Sequence, residues 1–336
     1  MQRITTRKRQ QQKYFIFGCL LLTIVTILSI MFGRFSFTLA DNNIVAFFQQ
    51  FTNSQAQKIM WQLRLPRVLA AIIIGASLSV TGVAYQSVFQ NPLASPGTLG
   101  AQNGAAFGAA IALFFSASSF VVTGVSFITG MASVVLVYFV SRYMKGNRTL
   151  ILILSGTLIG TLFSSGTSFL KLIADTSNTL PAITYWLMGS LADIRMTHLA
   201  LLAGLNCVGM IILMLFRWQL NVLTLGEEEA LSLGVDVKRV RNIILIVATF
   251  MTASCVAVCG VIGWVGLIIP HFVRRKFGSD HRYLLSHSII YGATFLVAVD
   301  FVARTIATTE IPIGILTSFI GAPLFFYMMA KGEQRV

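Results

Sequence analysis

The chain predicts an all-α, polytopic membrane protein with about ten transmembrane helices. Two observations carry that prediction. Of its 336 residues, 56% are hydrophobic and only 11% charged, whereas soluble domains carry about 25% charged residues. Apolar runs near the length that crosses a bilayer, about 20 residues, also recur along the chain with short polar connections between them. No low-complexity linker separates them, so residues 1–336 read as one membrane domain.

The basic stretch at 1–13, MQRITTRKRQQQK, leads into an apolar run at 14–33. That run is too long for a signal-peptide core and no small-residue cleavage site follows, so it predicts a retained first helix. Segment 41–60 is polar and apolar by turns and suits an amphipathic helix on the outer surface. Further spans are predicted at 65–87, 97–116, 119–141, 149–171, 196–216, 241–259, 261–273, 284–304 and 312–330. The span at 261–273 is short and needs protein neighbours at its ends. Segment 175–195, with WLMGSLADIR, predicts a second outer element. Gly100, Gly104 and Gly108 are spaced by four, as are Gly156 and Gly160, which lets helix backbones approach closely in lipid. Cys255 and Cys259 lie one helical turn apart without a histidine or third thiol nearby, which fits small apolar packing residues.

Charge orients the chain. With the N-terminus inside, the outer bases are Arg34, Lys58, Arg64, Arg67, Lys171, Arg195 and Arg304, and the rest of the 25 Lys and Arg lie inside. The bias predicts both termini in the cytoplasm. The net charge of +14 sits in short loops and forms no basic stripe with interleaved aromatics, so it does not point to nucleic acid.

Catalytic signatures are absent from the sequence. It has no G-x-x-x-x-G-K-[ST] phosphate loop, no H-E-x-x-H, no triad and no Cys/His cluster. His198, His271, His281 and His287 are scattered, and three lie near the basic inner loop, where imidazole commonly meets water or headgroups. The reading is therefore not an enzyme, and no cofactor or metal is expected on this chain.

Four polar features stand out against the apolar background. Asp300 lies inside LVAVDFVARTI; an intramembrane carboxylate is a functional candidate, and a structural bond to Arg304, one turn away, is the plainer role. Arg64 and Arg67, in RLPRVLAA, sit at the outer start of a helix with Pro66 in its first turn. Both the inside bias and the helix dipole disfavour bases there. They either snorkel to anionic headgroups or meet an acidic partner from outside, and Arg304 faces the same side. QNPLASPGTLGAQNG, residues 90–104, breaks the helices on the inner side with two prolines and glycines. Irregular backbone there is tolerated where protein or a water-filled path surrounds it, which makes Asn91 a candidate gate lining, against a plain tight turn.

The fourth feature is GEEEALSLGVDVKRVR, residues 226–241, on the inner side. Glu227, Glu228, Glu229 and Ala230 read as the acidic first turn of a short helix, Leu231 and Leu233 supply apolar contact, and Gly234 stops it. Bundle helices need only about 2–8 connecting residues, so the surplus suggests docking of a cytoplasmic partner rather than a plain solvated loop.

Several motifs occur in one order: LPR, GVAYQSVFQNPLASPGTLGAQNGA, WLMGSL, LGEEEALSLGV, GLIIPHFVRR, GSDHR, FVAR and EIPIGILTSFIGAPLF. From about residue 60 onward the chain resembles the iron–siderophore and cobalamin permeases of ATP-binding-cassette importers, FecCD-type membrane subunits. The resemblance implies an importer permease bundle that forms a homo- or heterodimer with the substrate path at its axis. It implies two separate ATPase subunits, which would bind ATP and Mg, and an extracytoplasmic substrate-binding protein. By position, 224–240 resembles the ATPase-coupling element, with Glu227, Glu228, Glu229, Ala230, Leu231 and Gly234. Arg64, Arg67 and Arg304 match arginines that meet acidic residues of the binding protein. Gln86, Asn91, Pro92 and Leu93 match the translocation path and inner gate. The implied cargo is a ferric siderophore, carried across the bacterial cytoplasmic membrane; cobalamin or haem is the alternative within the same machine. An ion-coupled secondary transporter is the alternative from another class, and it would make Asp300 essential. Trp264, His287 and Tyr291 stand where the family commonly has other residues.

Overall fold

The computed structural model describes residues 2–32 and 58–330. Among them the regular structure is helical: α1 (Gln2–Met31), α2 (Leu65–Val88), α3 (Ala101–Phe114), α4 (Ser119–Ser141), α5 (Arg148–Ile173), α6 (Thr179–Leu187), α7 (Met196–Leu215), α8 (Arg217–Leu223), α9 (Glu227–Ser232), α10 (Val237–Cys259), α11 (Val265–Phe277), α12 (His281–Thr305) and α13 (Ile313–Ala330). Each of the ten predicted spans holds one of these helices. Eight are long and apolar enough to cross a membrane; α3 and α11 are shorter. The amphipathic segment predicted at 41–60 falls almost wholly outside the described residues.

The predicted span at 97–116 needs correcting. Residues 90–100 form consecutive turns, and Gly100, at φ 74°, starts α3 only at residue 101. The turns contain buried Ala94, Leu99 and Gly100, so by composition they resemble a helix. The short span at 261–273 was expected, and the structure shifts it to Val265–Phe277 because Gly260 and Trp264 both take positive φ, 72° and 69°.

α2 is the central helix, with nearly every residue buried. Between apolar helices in lipid the gain comes from close packing rather than from escape from water. Glycines provide that closeness here. A Cβ on Gly82 would land on the Gly266 carbonyl of α11, and one on Gly75 would strike the Gly292 carbonyl of α12. The Gly100/Gly104/Gly108 row works the same way. Gly100 rests on Gly156 and Gly160 of α5, while Gly104 and Gly108 meet Ser133 and Thr129 of α4. Cys255 and Cys259 are buried in α10, as their packing role requires.

The helices define two opposite faces. α2 begins and α10 and α12 end on one, here the arginine face. α9 lies on the other. α1 starts on the α9 face, where Gln11 donates to the Phe277 carbonyl at 2.8 Å, and α13 finishes there, where Arg275 donates to the Met328 carbonyl at 2.6 Å. On the arginine face α6 leads into an elbow at 188–190. Ser190 N–H donates to Cys259 O, Ile313 N–H to Gly189 O and Gly314 N–H to Met188 O, at 2.8–3.0 Å. The elbow thereby joins the end of α10 to the start of α13.

Candidate functional site

On the arginine face, Pro66 lies in the first turn of α2 and the preceding turn, Ile59–Arg64, is wound as π-helix. Pro66 contributes no N–H, which loosens the usual i→i−4 ladder there. This winding brings Arg64 and Arg67 inward. Arg67 Nε donates to Asp300 Oδ1 at 2.7 Å and its Nη1 to Glu310 Oε2 at 2.8 Å. Arg304 Nε stands 3.3 Å from Asp300 Oδ2, and its Nη2 donates to the Ser29 carbonyl and hydroxyl at 2.6 Å. Arg64 Nη1 donates to the Ile30 and Met31 carbonyls at 2.6 and 2.9 Å.

All three arginines are at most 8% exposed. The expected Asp300–Arg304 contact is present, but Asp300 is shared with Arg67 across 233 residues of sequence. The dipole at the start of α2 disfavours bases here, but a second helix end lies beside them. Arg64 and Arg304 serve the C-terminal end of α1, where unpaired carbonyls and the negative end of the dipole favour cations. Glu310 was missed; its one signal is a lone acid between α12 and α13.

Between the faces, the gate candidates divide. Gln86 is buried near the end of α2, with Nε2 3.4 Å from the Leu267 carbonyl of α11. Asn91 closes α2 from outside: its N–H reaches the Gln86 carbonyl at 3.1 Å, and its Oδ1 accepts from Leu93 N–H at 2.9 Å. Pro92 and Leu93 then stand exposed on the α9 face. Gln90, at φ 48°, donates to the Leu223 carbonyl of α8 at 2.8 Å, tying this turn to the base of α9. Trp264 holds a positive φ, unusual for so bulky a residue, and packs against Gly321 and Phe325 of α13.

A polar knot lies beside the gate. His281 bonds Ser87 Oγ at 2.6 Å through Nε2 and Asn221 Oδ1 at 2.7 Å through Nδ1, while Asn221 Nδ2 donates to Asp280 at 3.1 Å. It links α2, α8 and α12. Burial pushes the Asp280 carboxyl up, but the Arg282 amide, the Asn221 side chain and the nearby Arg282 charge outweigh that and hold it below its ordinary value. His281 and His287 thus depart from the sequence reading: both are buried rather than at water or headgroups. His287 stacks within Phe277, Tyr283 and Tyr291, and Tyr291 bonds the Tyr14 carbonyl. His287 and Tyr291 therefore fasten α1 to α11 and α12.

α9 is built as its sequence suggests. Glu227, Glu228 and Glu229 fill its first turn, next to the positive end of the dipole. Gly234, at φ 78°, ends it, with Gly234 N–H bonded to Leu231 O and Val235 N–H to Ala230 O. This is a Schellman cap, and buried Val235 and Ala230 make its apolar contact. Glu227 pairs with Arg241 of α10. Leu225, Leu231 and Leu233, together with Glu228 and Glu229, face outward.

Residues 21–331 match the FecCD transport family. The chain is 37% identical to the molybdate import permease MolB of Haemophilus influenzae, over 94% of this chain and 95% of that protein. It is 41% identical to the cobalamin import permease BtuC of Halobacterium salinarum, over 83% and 75%. A probable iron chelatin permease of Helicobacter pylori is 35% identical over 94% and 96%. Among solved structures, a metal-chelate-type ABC transporter in an inward-facing conformation superposes with a TM-score of 0.87 at 38% identity, covering 95% of this chain and 99% of that one. With the family match spanning most of its helices, this chain belongs to the FecCD transport family as the membrane permease subunit of an ABC importer.

Proposed function

We propose that this permease moves a ferric siderophore into the bacterial cytoplasm, with the α9 face and both termini inside and the arginine face outside. The observation that carries the mechanical part is α9. Its leucines and two glutamates are displayed outward, while Ala230, Val235 and the Glu227–Arg241 pair fasten it to α10. A separate ATPase subunit gripping α9 would push on α10, whose far end is bonded to the elbow at 188–190. ATP and Mg would act on that subunit, not on this chain. A second permease subunit would complete the path, with Asn91, Pro92 and Leu93 at the inner gate and Gln86 above it. Rocking of the helices would alternate access.

Arg64, Arg67 and Arg304 are the proposed meeting point for acidic residues of a substrate-binding protein. In the free permease, Asp300 and Glu310 already occupy Arg67, so a docking carboxylate would have to displace Glu310, the more exposed of the two. The same cluster weakens the ion-coupled reading, because two arginine charges already stand against Asp300.

Siderophore as cargo is supported by the iron chelatin and metal-chelate relatives. The cobalamin relative keeps a second bulky metal chelate in view. The test is uptake into proteoliposomes holding the permease and its cognate ATPase, with the cognate binding protein added outside. Iron-loaded siderophore is expected to enter only with internal ATP and to outcompete cobalamin, haem and molybdate. Transport driven by an ion gradient without the ATPase would overturn the mechanism; uptake of molybdate alone would overturn the cargo.

A further inference from the structure

The inner ends of α2, α8 and α12 meet around one buried side chain, His281. Its Nε2 lies 2.6 Å from Ser87 Oγ of α2 and its Nδ1 lies 2.7 Å from Asn221 Oδ1 of α8. Asn221 Oδ1 also accepts from the His281 backbone N–H at 2.9 Å, and Asn221 Nδ2 donates to Asp280, which fixes the way this amide faces. A carbonyl oxygen only accepts, so Nδ1 carries a proton, and in the neutral ring Nε2 takes the Ser87 hydroxyl hydrogen. A second tie lies beside the first. Gln90 Nε2 donates at 2.8 Å to the carbonyl of Leu223, the last residue of α8, and Gln90 leads directly into the turn of Asn91, Pro92 and Leu93.

α8 is joined to α9 by residues 224–226, and bonds tighten this connection. Thr224 Oγ1 donates to the Asn221 carbonyl at 2.6 Å, and Leu225 N–H to the Val222 carbonyl at 3.0 Å. α8 therefore touches α9 at one end and the last turn of α2 along its side. α10, the other element attached to α9, runs instead to the elbow on the arginine face.

We infer that Ser87, His281, Asn221 and Gln90 form the link that carries motion of α9 to the inner gate turn, separately from the route along α10. The inference rests on α9 being the element that the ATPase grips. The four are positioning residues, acting on the gate through the end of α2. Apolar contacts are non-directional and let helices slide. A hydrogen bond weakens steeply when its partners misalign, so α8 cannot shift without drawing Ser87 and Gln90 with it.

Hydrogen-exchange mass spectrometry of the full-length permease with its cognate ATPase in nanodiscs tests this, with and without Mg, ATP and vanadate. The segments followed are 226–235 and 86–100. Trapping nucleotide on the wild-type complex is expected to change exchange in both. Ser87→Ala combined with Gln90→Ala should keep the change at 226–235 and shrink that at 86–100 several-fold. Thermal unfolding and co-purification with the ATPase check folding and assembly. If the double variant does not fold, Gln90→Ala alone, at the surface, carries the test with a smaller loss in the same direction. No change at 86–100 in the wild type, or an undiminished one in the variant, would overturn the link and leave the α9 reading intact. Loss at both segments in the variant would make these residues part of ATPase assembly and overturn it too. A wild-type complex silent at 226–235 would instead remove the α9 reading, and the link with it.

Discussion

The arginine face and the α9 face treat charge in opposite ways. On the first, Arg67, Asp300 and Arg304 are buried with their charges paired, so the cluster holds α1, α2 and α12 together. On the second, Glu228, Glu229 and Leu231 stand outside, while Glu227, Ala230 and Val235 attach α9 to the body. Buried charge is costly to disturb because the partner left behind remains unsolvated. Exposed side chains on a capped turn can be changed with little effect on folding. Stability and coupling should therefore separate by face.

Asp300→Ala tests the stiff side hardest. It leaves Arg67 with Glu310 as its carboxylate partner and, among the described residues, Arg304 with only the Ser29 acceptors, and breaking such a buried pair costs about 3–5 kcal/mol. Thermal unfolding in detergent should show a large fall in Tm; a wild-type Tm would erase the contrast between the faces. Next is Gly82→Leu, which forces α2 away from the Gly266 carbonyl between the faces. Overpacking of this kind costs about 1–3 kcal/mol, read in the same assay.

On the α9 side, Gly234→Ala meets no steric obstacle, because a Cβ there has nothing within 4 Å. Its cost is the left-handed backbone alone, about 1 kcal/mol. Substrate-stimulated ATP hydrolysis by the reconstituted complex should fall with it. Leu231→Ala combined with Glu228→Gln should change stability by less than about 0.5 kcal/mol and still lower stimulated hydrolysis. Full stimulation in that variant would remove α9 from the coupling role.

The smallest effect is acid sensitivity at Asp280. Its folded pKa lies below the unfolded value, so its contribution is present above the unfolded pKa, about 4. That contribution is lost as pH falls through the folded value. Asp280→Asn should flatten the fall of Tm below about pH 4 and lower the neutral Tm slightly, by the contribution that acid otherwise removes.

Much of this could be read from residue order. Ten apolar runs gave ten helices, and the acids before Leu231 with Gly234 after it gave a capped short helix, since both signals are local. The arginine cluster was only half visible. Arg304 reaches Asp300 within one helix, but Arg67 and Arg64 find partners on helices far away in sequence. His281 was misread for the same reason: Ser87 and Asn221 come from two other elements. The break at 90–104 was legible from its prolines and glycines, but residues 97–100 were mistaken for helix because a buried turn and a buried helix share a composition.

The two short helices also constrain how the chain is made. At 1.5 Å per residue, α3 and α11 extend only about 21 and 20 Å, well short of a hydrocarbon core of about 30 Å. Their approach segments leave the helical ladder, and lipid cannot satisfy backbone groups freed in that way. For α11 the covering comes partly from Gly189, made earlier, and partly from α13, where Gly314 and Gly321 close over Val261 and Trp264. The segment entering α11 is thus sheltered only after the last helix has been synthesised. A nascent chain stopped before α13 would present an unfinished membrane segment to the insertion machinery, giving quality-control proteases a ready mark of incompleteness.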